Sequence, residues 1–455
     1  MPRFDMKVAF HTLGCKVNQY ETEAMREQFA EAGFEPVDER AFADVYVINT
    51  CTVTNLADRK SRQYIRRMKR LNPAAIVAVT GCYAQTSPEE LARMPEVDIV
   101  AGTGEKNNIF DYVTENLKRR QTSGSAGHGK NPAETHIIPW EKLCEYQDSG
   151  VITSMESRTR AYIKIEEGCD RFCSYCLIPF ARGHVRSRDP RQIVKEAGVL
   201  TERGFKELIL TGINTALYGT EKSFTEKYPD FRPELYGVEK IIAELDQMPG
   251  DFRIRLSSLE PAVVDADYAA GLLKYGRLCH HLHLSAQSGS DRVLRLMNRP
   301  YSRGEYLEIV RRLREKDPGY GITTDLIAGF PQETDEDFED SLRLIEEAGF
   351  GKVHPFPYSS RKGTRAESMP GHVRDKIKSE RAAALSKTAE AAARRFLEER
   401  TGERRVVLFE EFTGDGFVTG YTDNYIKVYA RGNEINCFKE VRLLEIYKDG
   451  MKGEI

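Results

Sequence analysis

The sequence predicts an α/β protein in three parts. These are an N-terminal doubly wound parallel sheet, a central partial TIM-like (βα)6 barrel and a small C-terminal antiparallel β-barrel. Three observations carry the prediction. Over residues 1–120, apolar β-branched runs alternate with helical periods. After residue 155 six further runs do the same. From residue 404 the helical period stops, and short strand-like runs follow with turn residues between them. The expected divisions are 1–120, a linker 121–155, a core 156–398 and a terminal domain 399–455.

A chain of 455 residues suits two to four domains. The net charge of −3 excludes a globally basic surface, so any nucleic-acid binding must come from local patches. No apolar run approaches the roughly 18 residues of a membrane span. The opening MPRFDMKVAFHTLGC lacks the apolar core of a signal peptide. The expectation is a cytoplasmic protein with no membrane partner. Thiols stay reduced there, so the nine cysteines point to metal or catalysis rather than to disulfides.

In the first part, MKVAFHTLGC reads as a strand ending at Gly14-Cys15, followed by a helix over 18–32 that Gly33 closes. ADVYVINTC is a strand ending at Cys51, with a helix over 56–71 behind it. AAIVAVTGC ends at Gly81-Cys82, and VDIVAGTG with a helix from Lys106 completes the unit. Parallel strands deliver their C-terminal ends to one edge, where ligands bind near the switch point. Cys15, Cys51 and Cys82 all fall there: three candidate cluster ligands without an obvious fourth, or else three core cysteines. On the helix after Cys51, Ala57, Tyr64, Ile65, Met68 and Leu71 share one side. Arg59, Arg62, Arg66 and Arg70 line another, as a solvated face or as phosphate contacts. Residues 121–135 form a polar Gly/Ser-rich linker, and Cys144 beyond it, near Trp140, reads as structural or incidental.

The core opens with RAYIKIEEGC and the loop EGCDRFCSYC, which places Cys169, Cys173 and Cys176 at spacing C-x3-C-x2-C. A [4Fe–4S] cluster has four irons that each want a ligand, so three thiolates leave one iron open for chemistry. Zinc loops usually pair C-x2-C knuckles to reach four ligands, and this loop does not. With Tyr175 before the last cysteine, the motif resembles the signature of the radical S-adenosylmethionine (SAM) superfamily, whose open iron chelates SAM. The following strands are ELILTGIN, RIRLSSLEP, HLHLSAQSGS, TTDLIAGFP and KVHPFPYS. Barrel sites lie at such C-terminal strand ends. Gly212, Asn214, Ser257, Ser258, Ser285, Gln287, Ala328 and Gly329 stand there as candidate SAM contacts, with the backbone over 328–330 beside the adenine. The resemblance departs at Gln332, which follows Pro331 where glycine is usual. IPFARGHVRSR brings Arg182, Arg186 and Arg188 to the substrate mouth on the same resemblance, against a plain reading as surface arginines pairing with acids. Residues 218–237 show neither helical nor strand period.

Two three-cysteine sites, the distributed one first, resemble the radical SAM methylthiotransferase family over nearly the whole chain. Within it, GCKVNQYET resembles the branch acting on N6-threonylcarbamoyladenosine in tRNA. The resemblance implies two [4Fe–4S] clusters and SAM. It also implies tRNA presented at the anticodon loop, an electron donor such as flavodoxin or ferredoxin, and a sulfur donor. The implied reaction places a methylthio group on carbon 2 of the base, with no catalytic side chain beyond the cluster ligands. The alternatives are isopentenyladenosine in tRNA, a ribosomal-protein aspartate, and a non-catalytic iron–sulfur protein that binds RNA.

Residues 379–399 are Ala-, Arg- and Glu-rich and predict a strong helix that bridges two domains. RRVVLFEEF, GFVTGYTD, YIKVYA and EVRLLEIY follow as strands. GYTDNYIKVYA resembles the TRAM domain, an RNA-binding barrel. Tyr421, Tyr425 and Tyr429 are candidates either for base stacking or for packing.

Overall fold

Strands Val45–Thr50 and Ile76–Gly81 are buried at every residue, as the centre of a sheet covered on both faces demands. The computed structural model describes residues 6–122, 133–153, 155 and 159–455. It divides into two units. The first takes 1–155, 166–192 and 359–364, and the second takes 156–165, 193–358 and 365–455.

The first unit is built on a six-stranded sheet. In spatial order its strands are Glu35–Val37, Lys7–Thr12, Val45–Thr50, Ile76–Gly81, Ile99–Ala101 and Glu134–His136, and all pair in parallel. Alternate residues of a strand face opposite ways. Val8, Phe10, Val45 and Val47 therefore meet Met25 and Phe29 of the Lys16–Glu31 helix and Ile109 and Val113 of the Ile109–Thr122 helix. Ala9, Tyr46, Ile48, Val77 and Val79 meet Ile65 and Met68 of the Asn55–Leu71 helix on the other face. The chain leaves Lys7–Thr12 toward one side of the sheet and Val45–Thr50 toward the other, so the switch point lies between these strands.

Two edge strands go beyond the four expected. Glu35–Val37 and Glu134–His136 each have three residues and one neighbour in the sheet. The second lies inside the stretch expected as linker, of which residues 123–132 fall outside the described residues. An antiparallel pair, Glu166–Glu167 with Arg186–Ser187, brackets the loop that carries Cys169, Cys173 and Cys176. Arg361 ties 359–364 to the same unit: its guanidinium meets Asp58 at 2.6 Å and also reaches Thr52 and Asn55.

The second unit holds the six expected core strands, all parallel. They are Arg160–Lys164, Glu207–Thr211, Arg253–Leu256 continued as Ser258–Leu259, His281–Leu284, Gly321–Ala328 and Lys352–Pro357. Capping boxes start the helices Arg303–Lys316, from Ser302 and Glu305, and Asp335–Ala348, from Thr334 and Asp337. The aperiodic 218–237 stretch folds on itself. Phe224 is buried in the short helix Lys222–Lys227, and its ring meets Tyr218, Tyr228 and Phe231.

The helix Asp375–Glu398 packs on the last two core strands and reaches the strand Cys437–Tyr447. The terminal strands Arg404–Phe412, Phe417–Thr422, Lys427–Arg431, Cys437–Tyr447 and Gly450–Glu454 close into a barrel. Its pairings are antiparallel except for Lys427–Arg431 with Gly450–Glu454, which is parallel. Val407, Phe409, Val418, Val428, Val441 and Met451 fill it.

Tyr421 and Tyr425 pack rather than present themselves to bases. They stack on each other at 5.0 Å. The Arg160 guanidinium covers Tyr421 at 4.6 Å, and that of Arg255 covers Tyr425 at 4.8 Å. Tyr429 is buried with its hydroxyl on Asp449.

Candidate active site

The three N-terminal cysteines stand just past the ends of Lys7–Thr12, Val45–Thr50 and Ile76–Gly81. Cys15 and Cys51 flank the switch point, and Cys82 follows the next strand over. Two glycines let these turns come together. Gly14 sits at φ +119°, and a Cβ there would lie 2.9 Å from Cys51 Cβ. Gly81 sits at φ +99°, and a Cβ there would fall 2.3 Å from the Thr50 carbonyl oxygen. Only glycine tolerates both the dihedral and the closeness. Asn18 fastens the turns further, donating from Nδ2 to the carbonyls of Leu13 at 2.8 Å and Thr50 at 3.0 Å.

Cys51 and Cys82 are buried and Cys15 is exposed. Burial, then the neighbouring Cys82 and Cys15, push the Cys51 thiol up to about 12. Such a thiol becomes a thiolate when a cation compensates it, which is what a metal centre provides. Among the described residues no three His, Cys, Asp or Glu side chains converge on one point as a single ion would need. In a four-iron cluster each thiolate holds a different iron, so the sulfurs need not meet at one point. The donor set and the glycine-lined approach fit such a group.

The second trio lies in the same unit, half-buried on the 169–176 loop with Tyr175. The loop is held at both ends. Cys169 N donates to the Gly183 carbonyl at 3.0 Å, and Ile178 N donates to Cys176 Sγ at 3.4 Å. Gly168, at φ +87°, has no room for a Cβ, which would lie 1.8 Å from the His184 carbonyl oxygen.

The sequence leaves Arg182, Arg186 and Arg188 either at a substrate mouth or as surface arginines pairing with acids; the structure pairs all three with acids, but in buried places rather than at the surface. All three are buried. Arg182 Nε donates to Cys82 Sγ at 3.3 Å, while Nη1 meets Glu21 at 2.5 Å and Glu167 at 2.6 Å. Its Nη2 reaches Asn18 Oδ1 and, at 3.1 Å, Glu21 Oε2. Lys106 also pairs with Glu21. Arg186 Nη1 donates to the Leu143 carbonyl at 2.9 Å, and Arg188 Nη1 donates to Tyr20 Oη at 3.0 Å. Three side chains of the GCKVNQYET motif, Asn18, Tyr20 and Glu21, are therefore buried and hold arginines. Burial opposes the Arg182 charge, but Cys82, Glu21 and Glu167 outweigh it and keep the guanidinium protonated.

A cavity of about 860 Å³ opens in this unit, walled by Arg62, Gln85, Trp140, Leu177, Phe180 and Arg361 among others. Gln85 lies three residues past Cys82, and Leu177 directly follows Cys176. Trp140 packs edge-on against Phe180, with centroids 5.4 Å apart. On the basic helix, Arg62 is engaged by Glu90 at 2.9 Å and by Tyr83, whereas Arg59 and Arg70 are exposed.

In the second unit, Gly212, Asn214, Ser257, Ser285, Gln287, Ala328 and Gly329 all stand at the C-terminal edge of the parallel core strands. Ser257 Oγ is buried with no hydrogen-bond partner among the described residues. Such a group at a strand end suits a polar ligand. Ser258 is exposed. Asn214 Nδ2 donates to Glu260 at 2.7 Å, and Glu260 is held in turn by Arg299 at 2.6 Å. Sequence reasoning missed Glu260 and Arg299. Their signal is a carboxylate inside SSLEP and an arginine in the stretch SAQSGSDRVLRLMNRPY that begins at the end of the fourth core strand. Gln332 adopts φ +67°, a left-handed dihedral that favours glycine.

Residues 7–102 match the uncharacterized protein family UPF0004, and residues 163–345 match the radical SAM superfamily. The threonylcarbamoyladenosine tRNA methylthiotransferase MtaB of Bacillus subtilis (strain 168) is 41% identical over 448 residues, 97% of this chain and 94% of that protein. The chain belongs to the radical SAM methylthiotransferase family. The MtaB of Aquifex aeolicus is 38% identical, covering 96% of this chain and 98% of that one. The tRNA-2-methylthio-N(6)-dimethylallyladenosine synthase of Thermodesulfovibrio yellowstonii is 30% identical over 98% of both chains. Among solved structures, the radical SAM methyltransferase TsrM of Kitasatospora setae aligns with a TM-score of 0.58 at 15% identity, over 80% of this chain and 77% of that one, a likeness of fold. Family membership makes this protein a radical SAM enzyme and implies a [4Fe–4S] cluster and SAM. Among the described residues no helix is long and apolar enough to cross a membrane.

Proposed function

We propose that this protein replaces the hydrogen on carbon 2 of N6-threonylcarbamoyladenosine, next to the anticodon in tRNA, with a methylthio group. One observation carries the reading: the chain matches threonylcarbamoyladenosine methylthiotransferases at 35–41% identity over nearly full length. Its identity to the dimethylallyladenosine synthases is 30–32%.

When bound, a [4Fe–4S] cluster on Cys169, Cys173 and Cys176 with SAM would supply radical hydrogen abstraction, a second cluster on Cys15, Cys51 and Cys82 would supply the sulfur, and a second SAM would supply the methyl group. The protein's residues position and shield these groups. Gly14, Gly81 and Asn18 gather three strand ends so that distant cysteines serve one centre. Gly212, Asn214, Ser257, Ser285, Gln287, Ala328 and Gly329 contact SAM from the core strands, with Glu260 and Arg299 fixing Asn214. Tyr175 binds the cofactor from the cluster loop. The cavity beside Trp140 and Phe180 offers an aromatic wall to a single-stranded nucleotide. Residues 1–120, 156–398 and 399–455 act as the auxiliary-cluster, radical SAM and TRAM-like parts, joined by 121–155. The setting is the cytoplasm, with flavodoxin or ferredoxin as reductant and a separate sulfur donor.

Mass spectrometry of tRNA nucleosides from cells with and without the gene tests this. The expected result is loss of the 2-methylthio form of threonylcarbamoyladenosine alone. Loss of the isopentenyl form instead, or an unchanged tRNA profile with loss of a ribosomal-protein modification, overturns it.

A further inference from the structure

The guanidinium of Arg182 has five N–H donors, and every one is engaged. Four go to Asn18, Glu21 and Glu167, which together fix the plane of the fork. The fifth, on Nε, points at Cys82 Sγ from 3.3 Å. Its direction is thus set by contacts other than the sulfur. An arginine needed only as a salt-bridge partner would not require its Nε aimed at a cysteine.

Lys106 and Arg182 meet Glu21, and Arg182 and Arg186 meet Glu167. Arg182 is thus one of three cations that meet these two carboxylates behind Cys82. A [4Fe–4S] core in its two-plus state with three thiolates carries one net negative charge. The Arg182 guanidinium, held beside Cys82, has the sign that such a group would need.

Arg182 also ends the short helix Ile178–Arg182, whose first N–H donates to Cys176 Sγ. One helical turn therefore runs from a sulfur of one trio to a sulfur of the other.

We propose that Arg182 is a positioning residue for the Cys15–Cys51–Cys82 centre: it orients the Cys82 thiolate by an N–H to S hydrogen bond and offsets the charge of the cluster bound there. This rests on the two-centre reading above. Asn18 and Glu21 serve the same end by holding Arg182, so the GCKVNQYET motif acts behind the cluster. Hydrogen bonds to cluster sulfurs raise the reduction potential and steady the ligand set. Losing this one lowers the potential.

The experiment uses the full chain carrying Cys169→Ala, Cys173→Ala and Cys176→Ala, reconstituted anaerobically with iron and sulfide. Arg182→Lys keeps the charge but loses the fork, and Arg182→Gln loses both. Iron per chain, the midpoint from an EPR-monitored redox titration and the half-life of visible absorption under a chelator are measured. With Arg182→Lys the expected midpoint moves negative by a tenfold change in the reduction equilibrium, about 59 mV for one electron. The expected half-life falls at least tenfold. Arg182→Gln shifts both further, and if it does not fold, Arg182→Lys alone decides. Glu167→Gln serves as comparator, since it loosens the wall without removing the donor to sulfur. If Arg182→Lys keeps the parent's midpoint and half-life, whatever its melting temperature, Arg182 is only a structural ion pair and the proposal is overturned. A parent chain that binds no four-iron cluster with Arg182 intact overturns the two-centre reading, and the proposal with it.

Discussion

Arg255 grips Glu207 through both carboxylate oxygens, Nε to Oε1 and Nη2 to Oε2, each at 3.0 Å. Arg253 adds a contact at 2.6 Å and Arg160 a longer one at 3.7 Å. The same arginines reach the terminal barrel. Arg253 and Arg255 donate to the carbonyls of Tyr421, Thr422 and Asp423, and Arg160 pairs with Glu410. Removing Glu207 leaves three cations crowded in a buried place. Glu207→Gln should cost roughly 3–5 kcal/mol of stability, measured by denaturant unfolding.

The pH dependence of this joint has a definite sign. Burial opposes the Glu207 carboxylate, but Arg255, Arg253 and Arg160 outweigh it and hold its titration well below the usual 4.5. Its contribution is therefore fully present above the unfolded carboxylate value and is lost as pH falls below it. Melting temperature should drop on acidification below about pH 4.5. The drop should be shallower in Glu207→Gln.

Arg59 and Arg70 of the Asn55–Leu71 helix, rather than Arg62 with Glu90 or Arg66 with Glu96, are the exposed arginines placed to meet phosphate. Arg59→Glu with Arg70→Glu should weaken tRNA binding and reduce its salt slope by about two, one per lost phosphate contact. Arg62→Ala should lower stability through Tyr83 and Glu90 and change the slope less. Binding isotherms across a salt titration separate the two. Equal slopes for the parent and the double variant would rule the phosphate role out.

Trp140 forms the aromatic wall of the cavity between the segments after Cys82 and Cys176. Trp140→Ala should weaken tRNA binding by roughly 1–3 kcal/mol, the range for losing one stacked base. Trp140→Phe should recover most of it. A filter-binding series that finds all three proteins alike would exclude nucleotide contact there.

Iron counting tests the two trios independently of turnover. Reconstituted protein should hold about eight irons, and about four after either trio is changed to alanine. A parent value near four would leave one of the trios without a cluster.

Gln332 pays conformational strain at φ +67°, while its N–H donates to the Gly371 carbonyl at 2.8 Å. Gln332→Gly should keep that bond and gain about 0.5–1 kcal/mol. Thermal unfolding of the two proteins measures it.

Much of the candidate site was legible in the sequence because parallel βα units convert a repeated position into a common edge. Cys15, Cys51 and Cys82 each follow a buried apolar run, and that pattern alone put them on one rim. Asn214, Ser257 and Ser285 follow core strands in the same way. The strands Glu134–His136 and Gly450–Glu454 were not legible, since an edge or barrel-closing strand of polar or glycine-rich composition lacks an apolar period. The direction of Arg182 was hidden for another reason. Arginines of IPFARGHVRSR look like surface groups until Asn18, Glu21 and Glu167 are brought to them from elsewhere in the chain. Tyr421 and Tyr425 stayed open between base stacking and packing, because a tyrosine on a short strand shows nothing in sequence of the guanidinium that will cover it.

Each unit is assembled from stretches that alternate along the chain, with five junctions between them. Neither can be cut out as one continuous piece. A chimera meant to carry a relative's substrate preference would have to exchange 1–155, 166–192 and 359–364 as a set. Grafting the first stretch alone would leave a host Arg182 inserted among foreign counterparts of Asn18 and Glu21, and a host Arg361 opposite a foreign Asp58. A single crossover within the chain therefore splits at least one of these units.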